Sequence, residues 1–224
     1  MAVRTRLKVC CIKSVGEARM AVAAGADILG LVGPMPSGPG TITYAQARSI
    51  AAELPDTVEP WLLTSETTAT TLAAAAEESG VSNLQIVRHL DPDELERLRS
   101  SRPELKLVQV IHVEDEGALG LISRYERHID AFLLDSGKPS AAIETLGGTG
   151  DVHDWSISAR FVAATNKPVM LAGGLKAGNV LDAVRRVRPY GVDLCSSLRQ
   201  EDALDAELLQ EFVQALRLAD QEKT

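Results

Sequence analysis

Apolar residues recur along this chain in two alternating modes. Short runs such as 6–12 (RLKVCCI) and 27–32 (DILGLV) are apolar almost throughout. Between them lie longer stretches whose apolar residues fall three or four apart, as Val15, Ala18, Ala21 and Val22 do. The first mode is that of strands buried on both faces, the second that of helices laid over them. Strands are expected over 6–12, 27–32, 57–64, 83–88, 105–113, 129–135, 168–172 and 191–195. Pro60 weakens the third, because a proline cannot donate to a sheet ladder. Helices are expected over 14–25, 43–54, 65–78, 91–100, a stretch ending near 125, 156–165, 177–187 and 204–218.

Several boundaries have a chemical cause. Ser14 and Thr43 are suited to cap helix starts, and Asp91-Pro92 places a proline just inside one. Gly25 and Gly80 follow helices as C-cap glycines do. The segment 33–40 (GPMPSGPG) is dense in glycine and proline and must be a loop. Eight strands alternating with eight helices over 224 residues leave about 28 residues per unit. Strict alternation with buried strands implies a parallel sheet, and eight units close as a (β/α)8 barrel, a TIM barrel. The alternative is an open doubly wound sheet, which calls for G-x-G-x-x-G after the first strand; C-C-I-K-S-V stands there instead. One barrel domain is expected over 1–224, with 1–5 and 219–224 as frayed polar tails.

Composition narrows the function. Hydrophobic residues make up 45% of the chain and charged residues 24%, an ordinary core and surface. The net charge of −8 lacks the basic face that nucleic acid requires. No apolar run approaches a membrane span, and the N-terminal MAVRTRLKVCC has no signal core, so a cytoplasmic protein is expected, with no membrane partner. Cys10, Cys11 and Cys195 give an odd count without metal spacing, and read as free thiols in a reducing compartment. No metal or cofactor is expected, and the chain is expected to act as a monomer or homodimer.

Barrel chemistry sits at the C-terminal ends of strands. Those ends offer Lys8, Cys10, Cys11 and Lys13 on the first strand, Arg88 and His89 after the fourth, His112 on the fifth and Asp135 on the sixth. Asp193, Cys195, Ser196 and Ser197 end the eighth. Glycine-rich turns at Gly147 to Gly150 and Gly173-Gly174, with Ser196, lie where barrels bind phosphate; alternatively their glycines only permit tight turns. Cys10 and Asp135, from opposite sides of the ring, suit general acid–base work without a metal, with Lys8 favouring the thiolate. Cys10 also fits as a small buried residue, and Asp135 as a loop cap. His128 and His153 are expected at the surface or behind the site.

Motifs distributed along nearly the whole chain, about 6–217, give it a resemblance. These are KVCC at 8–11, AGAD-LG at 24–30, LLDS at 133–136, GGTG with a following DW at 147–155, LAGGL at 171–175 and RPYGVD at 188–193. Together they resemble the phosphoribosylanthranilate isomerase family of tryptophan biosynthesis. The resemblance implies a cofactor-free (β/α)8 barrel that converts an N-(5-phosphoribosyl) aminoaldose into a 1-deoxyribulose product by an Amadori rearrangement. It implies Cys10 as general base and Asp135 as general acid. It implies a phosphate held by Gly148, Thr149, Gly150, Gly173, Gly174, Ser196 and Ser197. Lys8, Lys13, Arg88 and His112 are further candidate substrate contacts.

The chain departs from that pattern in places. Cys11 stands where the family has glycine, and the loop PSGPGTI lacks the family's S-P-R arginine for the anthranilate carboxylate. Gln85-Ile86-Val87-Arg88 replaces Q-L-H-G, and Ser197 replaces a glycine. The sugar end is kept and the aglycone end changed. Two further readings stand beside the isomerase: a paralogue acting on another phosphorylated sugar derivative, and a non-catalytic barrel that binds a phosphorylated metabolite.

Overall fold

Helices begin where a side chain can take up an orphan backbone N–H. Ser14 caps α1 (Val15–Ala23), and Thr43 starts α2 (Tyr44–Ala51) in a capping box with Gln46. Thr68 caps α3 (Ala69–Ser79) and Asp91 caps α4 (Pro92–Ser101), with Pro92 in its first turn. Asp154 and Asp205 start α6 (Trp155–Ala164) and α8 (Ala206–Gln221). Such caps each contribute about 1 kcal/mol. They also explain one shifted boundary: α3 starts at Ala69 rather than at 65, because Thr68 and not Ser65 bonds the first turn. A 3-10 turn over Glu116–Leu119 leads into α5 (Gly120–Tyr125), and α7 covers Val180–Val187.

The computed structural model describes residues 4–36, 39–136 and 153–222. Its strands are β1 (Arg6–Val9), β2 (Ile28–Val32), β3 (Glu59–Thr64), β4 (Asn83–Ile86), β5 (Lys106–His112), β6 (Ala131–Asp135), β7 (Val169–Leu171) and β8 (Gly191–Leu194). They pair in sequence order, all parallel, and close through β8 on β1, from Arg6 opposite Gly191 to Val9 opposite Leu194. This is the (β/α)8 barrel, and the open sheet is set aside. Past β8 a short antiparallel pair, β9 (Arg199–Gln200) and β10 (Ala203–Leu204), precedes α8.

Strand alternation sorts the core into two layers. Leu7, Val9, Leu29, Leu31, Leu62 and Leu84 face outward into the apolar layer beneath the helices. Ile28, Val108, Val110, Leu133 and Met170 fill the barrel interior. Gly191 makes room there, since a Cβ would lie 2.6 Å from Met170 Sδ. At the C-terminal end α8 runs to Gln221, Ala219 is buried, and Asp220 accepts from the Thr5 N–H at 3.0 Å. Among the described residues no helix is long and apolar enough to cross a membrane.

Candidate active site

β1 turns Lys8 and Cys10 into the barrel, two residues apart on one face. The sequence makes space for them on the next strand. A Cβ on Gly30 of β2 would lie 2.6 Å from Cys10 Sγ and 3.0 Å from Lys8 Nζ, so the glycine of AGAD-LG is a packing requirement. Across the barrel seam Lys8 lies opposite Asp193, and its ammonium donates to Asp193 Oδ2 at 2.8 Å. Lys8 has no exposed surface, so its effect on a ligand in this conformation is electrostatic. Its charge also lies 5.9 Å from the centroid of the Trp61 ring.

Burial dominates the electrostatics. It works to lower the Lys8 pKa, but the charges of Asp193 and Cys10 outweigh it and leave the ammonium above its ordinary value. Burial raises the Cys10 thiol to about 11; Lys8 pulls the other way and Asp193 adds to the rise. Lys8 favours the Cys10 thiolate, as its place in K-x-C leads one to expect, but desolvation outweighs the neighbouring cation. Asp193 is likewise raised by burial despite Lys8, with the Asp135 charge contributing.

Asp135 ends β6 beside His112 of β5. Its Oδ1 accepts from the Ser136 N–H at 2.8 Å. Burial raises its pKa, against the lowering effects of that hydrogen bond, His112 and Lys8. Lys8 acts on Cys10, Asp193 and Asp135 alike, so all four groups share one electrostatic site. His112 Nε2 lies 3.1 Å from the Val87 carbonyl, which can only accept, so this nitrogen carries the ring proton. Among the described residues His112 Nδ1, Gln85 Oε1 and Asp193 Oδ1 are buried without partners. Buried polar atoms left unpaired at a barrel mouth are where a ligand is received. Asp193 and Gly30 are the residues to which the sequence reading gave no role. The signal for Asp193 was present: K-x-C at 8–10 and D-x-C at 193–195 face each other once β8 closes on β1.

The candidate phosphate turns lie beside this cluster. Gly173 and Gly174 have φ of 81° and 61°, and a Cβ on Gly173 would lie 3.0 Å from the Ser136 backbone N, so only glycine fits. Asn179 fixes the turn by donating to the Gly174 carbonyl at 2.9 Å. Ser196 and Ser197 form the 3-10 turn Ser196–Leu198 that follows β8. Gly148, Thr149 and Gly150 lie outside the described residues, as do residues 37 and 38 of the β2 loop.

The cationic candidates divide. Lys13 pairs with Asp202 at 2.6 Å. Arg199 is bound to Glu17 at 3.0 Å and to the Cys11 carbonyl. Arg88 stands half-buried just past β4. Of the other histidines, His128 is buried rather than at the surface and faces Glu96 at 3.0 Å. His153 is lowered to about 4 by burial. Cys11 and Cys195 are not free thiols, as expected from their count, but are joined in a disulfide; only Cys10 remains free. No group of three or more His, Cys, Asp or Glu among the described residues could hold a metal.

This arrangement was compared with known proteins. The family model described as N-(5'-phosphoribosyl)anthranilate (PRA) isomerase matches residues 49–215. N-(5'-phosphoribosyl)anthranilate isomerase 2 of Methanosarcina mazei is 37% identical over 91% of this chain and 89% of its own. The N-(5'-phosphoribosyl)anthranilate isomerase of Methanocella arvoryzae is 32% identical over 96% and 99%. Among solved structures, phosphoribosyl anthranilate isomerase from Thermotoga maritima superposes with a TM-score of 0.80 at 26% identity, covering 95% of this chain and 98% of that one. The Thermus thermophilus protein does so at 0.79 and 25%, covering 96% and 99%.

Proposed function

The chain belongs to the N-(5'-phosphoribosyl)anthranilate isomerase family, and from that premise we propose that it carries out the aldose–ketose rearrangement of N-(5'-phosphoribosyl)anthranilate in tryptophan biosynthesis, with Asp135 as general acid and Cys10 as general base. The observation that carries this reading is the shared field of Lys8 and Asp193, in which burial leaves both Asp135 and Cys10 more basic than usual. A carboxyl with a raised pKa keeps a proton to give, and a thiolate of raised pKa is a strong base once formed.

In this mechanism Asp135 protonates the furanose ring oxygen as the C1–O bond breaks, and the aryl nitrogen lone pair forms the protonated imine, the nitrogen keeping its hydrogen. Cys10 then removes the C2 proton, giving the enamine-enol. Loss of the enol O–H proton and protonation at C1 complete the ketose, with no net gain or loss of protons. The Gly173-Gly174 and Ser196-Ser197 turns hold the phosphate, joined by Gly148, Thr149 and Gly150. The orphan Asp193 Oδ1 and Gln85 Oε1 accept from substrate hydroxyl or amine groups. His112, whose Nδ1 is also without a partner, takes another such contact.

A second reading concerns the aglycone. Lys13 and Arg199 are committed to Asp202 and Glu17, so neither stands ready to meet an anthranilate carboxylate. This favours a different phosphoribosyl amine as substrate. The test is loss of fluorescence of freshly generated phosphoribosylanthranilate. Wild-type turnover that falls about 10²- to 10⁴-fold in Asp135→Asn supports the proposal. Equal turnover by both proteins overturns the role of Asp135. No turnover with that substrate, but turnover with another phosphoribosyl amine, selects the second reading.

A further inference from the structure

The Cys11–Cys195 disulfide joins residues 184 apart in sequence, with Cα atoms 6.0 Å apart. It crosses the seam where the barrel closes. Cys11 follows β1 directly after the candidate base, and Cys195 leads into the turn that carries Ser196 and Ser197. Cys11 has φ 62°, a left-handed backbone that favours glycine. It is held there from several sides. Arg199 donates to its carbonyl and is itself fixed by Glu17 at 3.0 Å. Gly40 packs so closely that a Cβ on it would lie 2.8 Å from Cys11 Cβ. The two sulfurs differ in access: Cys11 is 4% exposed, whereas Cys195 is only partly buried.

We propose that Cys11 and Cys195 form a reversible thiol–disulfide site through which low-molecular-weight thiols and disulfides set the phosphate affinity of the barrel mouth. A thiolate attacks the accessible Cys195 sulfur; the S–S bond breaks, Cys11 leaves as thiolate and takes a proton, and Cys195 is held as a mixed disulfide. A second thiolate attacks the external sulfur of that mixed disulfide and releases Cys195. Two electrons and two protons pass to the protein, and two small thiols become one disulfide. The reverse sequence, with a small disulfide as oxidant, restores the bond. Oxidised, the bond ties the Ser196-Ser197 turn to the end of β1. Reduced, the turn keeps only its own contacts. The placement of Cys10 does not depend on the bond, because its N–H donates to the Leu194 carbonyl at 2.7 Å and its thiol sits against Gly30. Reduction therefore acts on binding more than on chemistry. The phosphate role of the Ser196-Ser197 turn is that of the proposed function, and the kinetic part rests in addition on the isomerase reading.

The test begins with thiol titration of the denatured chain, before and after reduction. One thiol rising to three is expected from the bond and the free Cys10. Three thiols both in the isolated protein and after treatment with oxidised glutathione overturn the proposal. Next comes the rise in Tm produced by inorganic phosphate, which needs no turnover; it is expected to be larger for the oxidised protein. In the assay, reduction is expected to raise KM roughly tenfold with kcat little changed, the signature of lost uniform binding. Cys11→Gly suits the left-handed backbone and supplies a folded control, whose KM is expected to be the same with and without reductant. A KM and a phosphate-induced shift indifferent to reduction in the wild type overturn the proposal. A redox-dependent phosphate shift in a protein that turns over no phosphoribosylanthranilate supports the site and counts against the isomerase reading alone.

Discussion

Two ion pairs stand one step apart on the same face of β1, and burial separates their fates. Arg6 meets Glu59 at 2.8 Å near the N-terminal end of the barrel, with 23% and 31% of their side chains exposed. Lys8 meets Asp193 at 2.8 Å deeper in, with 0% and 8% exposed. Arg6 also donates to Tyr190 at 3.1 Å, and Glu59 accepts from Trp61 at 3.3 Å, so the outer pair is well supplied with partners. Burial alone would raise Glu59, but Arg6 and Trp61 outweigh it and bring it below its usual range. Asp193 has the cation and the Leu194 backbone N–H, yet burial wins and the carboxyl is raised. The outer pair links β1 to β3 at the N-terminal end of the barrel. The inner pair leaves charge and an unpaired Oδ1 beside Cys10 and Asp135, a state worth keeping only for a ligand.

The largest effect should come from breaking the inner pair. Lys8→Met leaves Asp193 buried without its cation and is expected to cost about 3–5 kcal/mol, measured by urea unfolding. The double variant Lys8→Met/Asp193→Leu should recover most of that loss, because no buried charge is left. A double variant as unstable as the single would contradict this account of the pair.

Gly30→Ala comes next. Its Cβ would meet Cys10 Sγ at 2.6 Å, and overpacking of this kind costs about 1–3 kcal/mol. Turnover should fall with it, since the base is displaced. Unchanged stability together with unchanged turnover would show that Gly30 does not set the Cys10 position.

Glu59→Gln should be the mildest, costing about 0–1 kcal/mol as partly exposed pairs do. The pH signs sharpen the contrast. The lowered Glu59 pKa contributes stability above its unfolded value of 4.5 that is lost as pH falls through the folded one, so Gln removes a stabilisation present at neutral pH. The raised Asp193 pKa works oppositely: stability is lost as pH rises from the unfolded value of 3.8 through the folded one. Stability curves of Glu59→Gln and Asp193→Asn against pH should therefore differ from wild type in opposite directions.

The sequence made most of the barrel legible because its signals are local. Alternating apolar runs, the caps at Ser14, Thr43 and Asp91, and a carboxylate ending FLLD each act within a few residues. The family resemblance supplied the roles of Cys10 and Asp135. What escaped lies at the seam. The Lys8–Asp193 pair and the Cys11–Cys195 bond join strands about 185 residues apart, and only the register of β8 on β1 brings them together. The raised thiol of Cys10 escaped for a related reason: nearness of a cation is visible in K-x-C, but the burial that outweighs it belongs to the closed barrel.

The most direct test of the paired acid and base is the pH dependence of kcat/KM on phosphoribosylanthranilate. In the proposed mechanism the active form carries a Cys10 thiolate and a protonated Asp135, each the minor state between their two pKa values. Over that interval thiolate is gained as fast as carboxylic acid is lost, so the profile should be flat, and its alkaline descent should come only near pH 11, the raised value of Cys10. A plateau still level at pH 10 is the predicted result. A descent beginning at pH 8 to 9, where an ordinary thiol ionises, would contradict it.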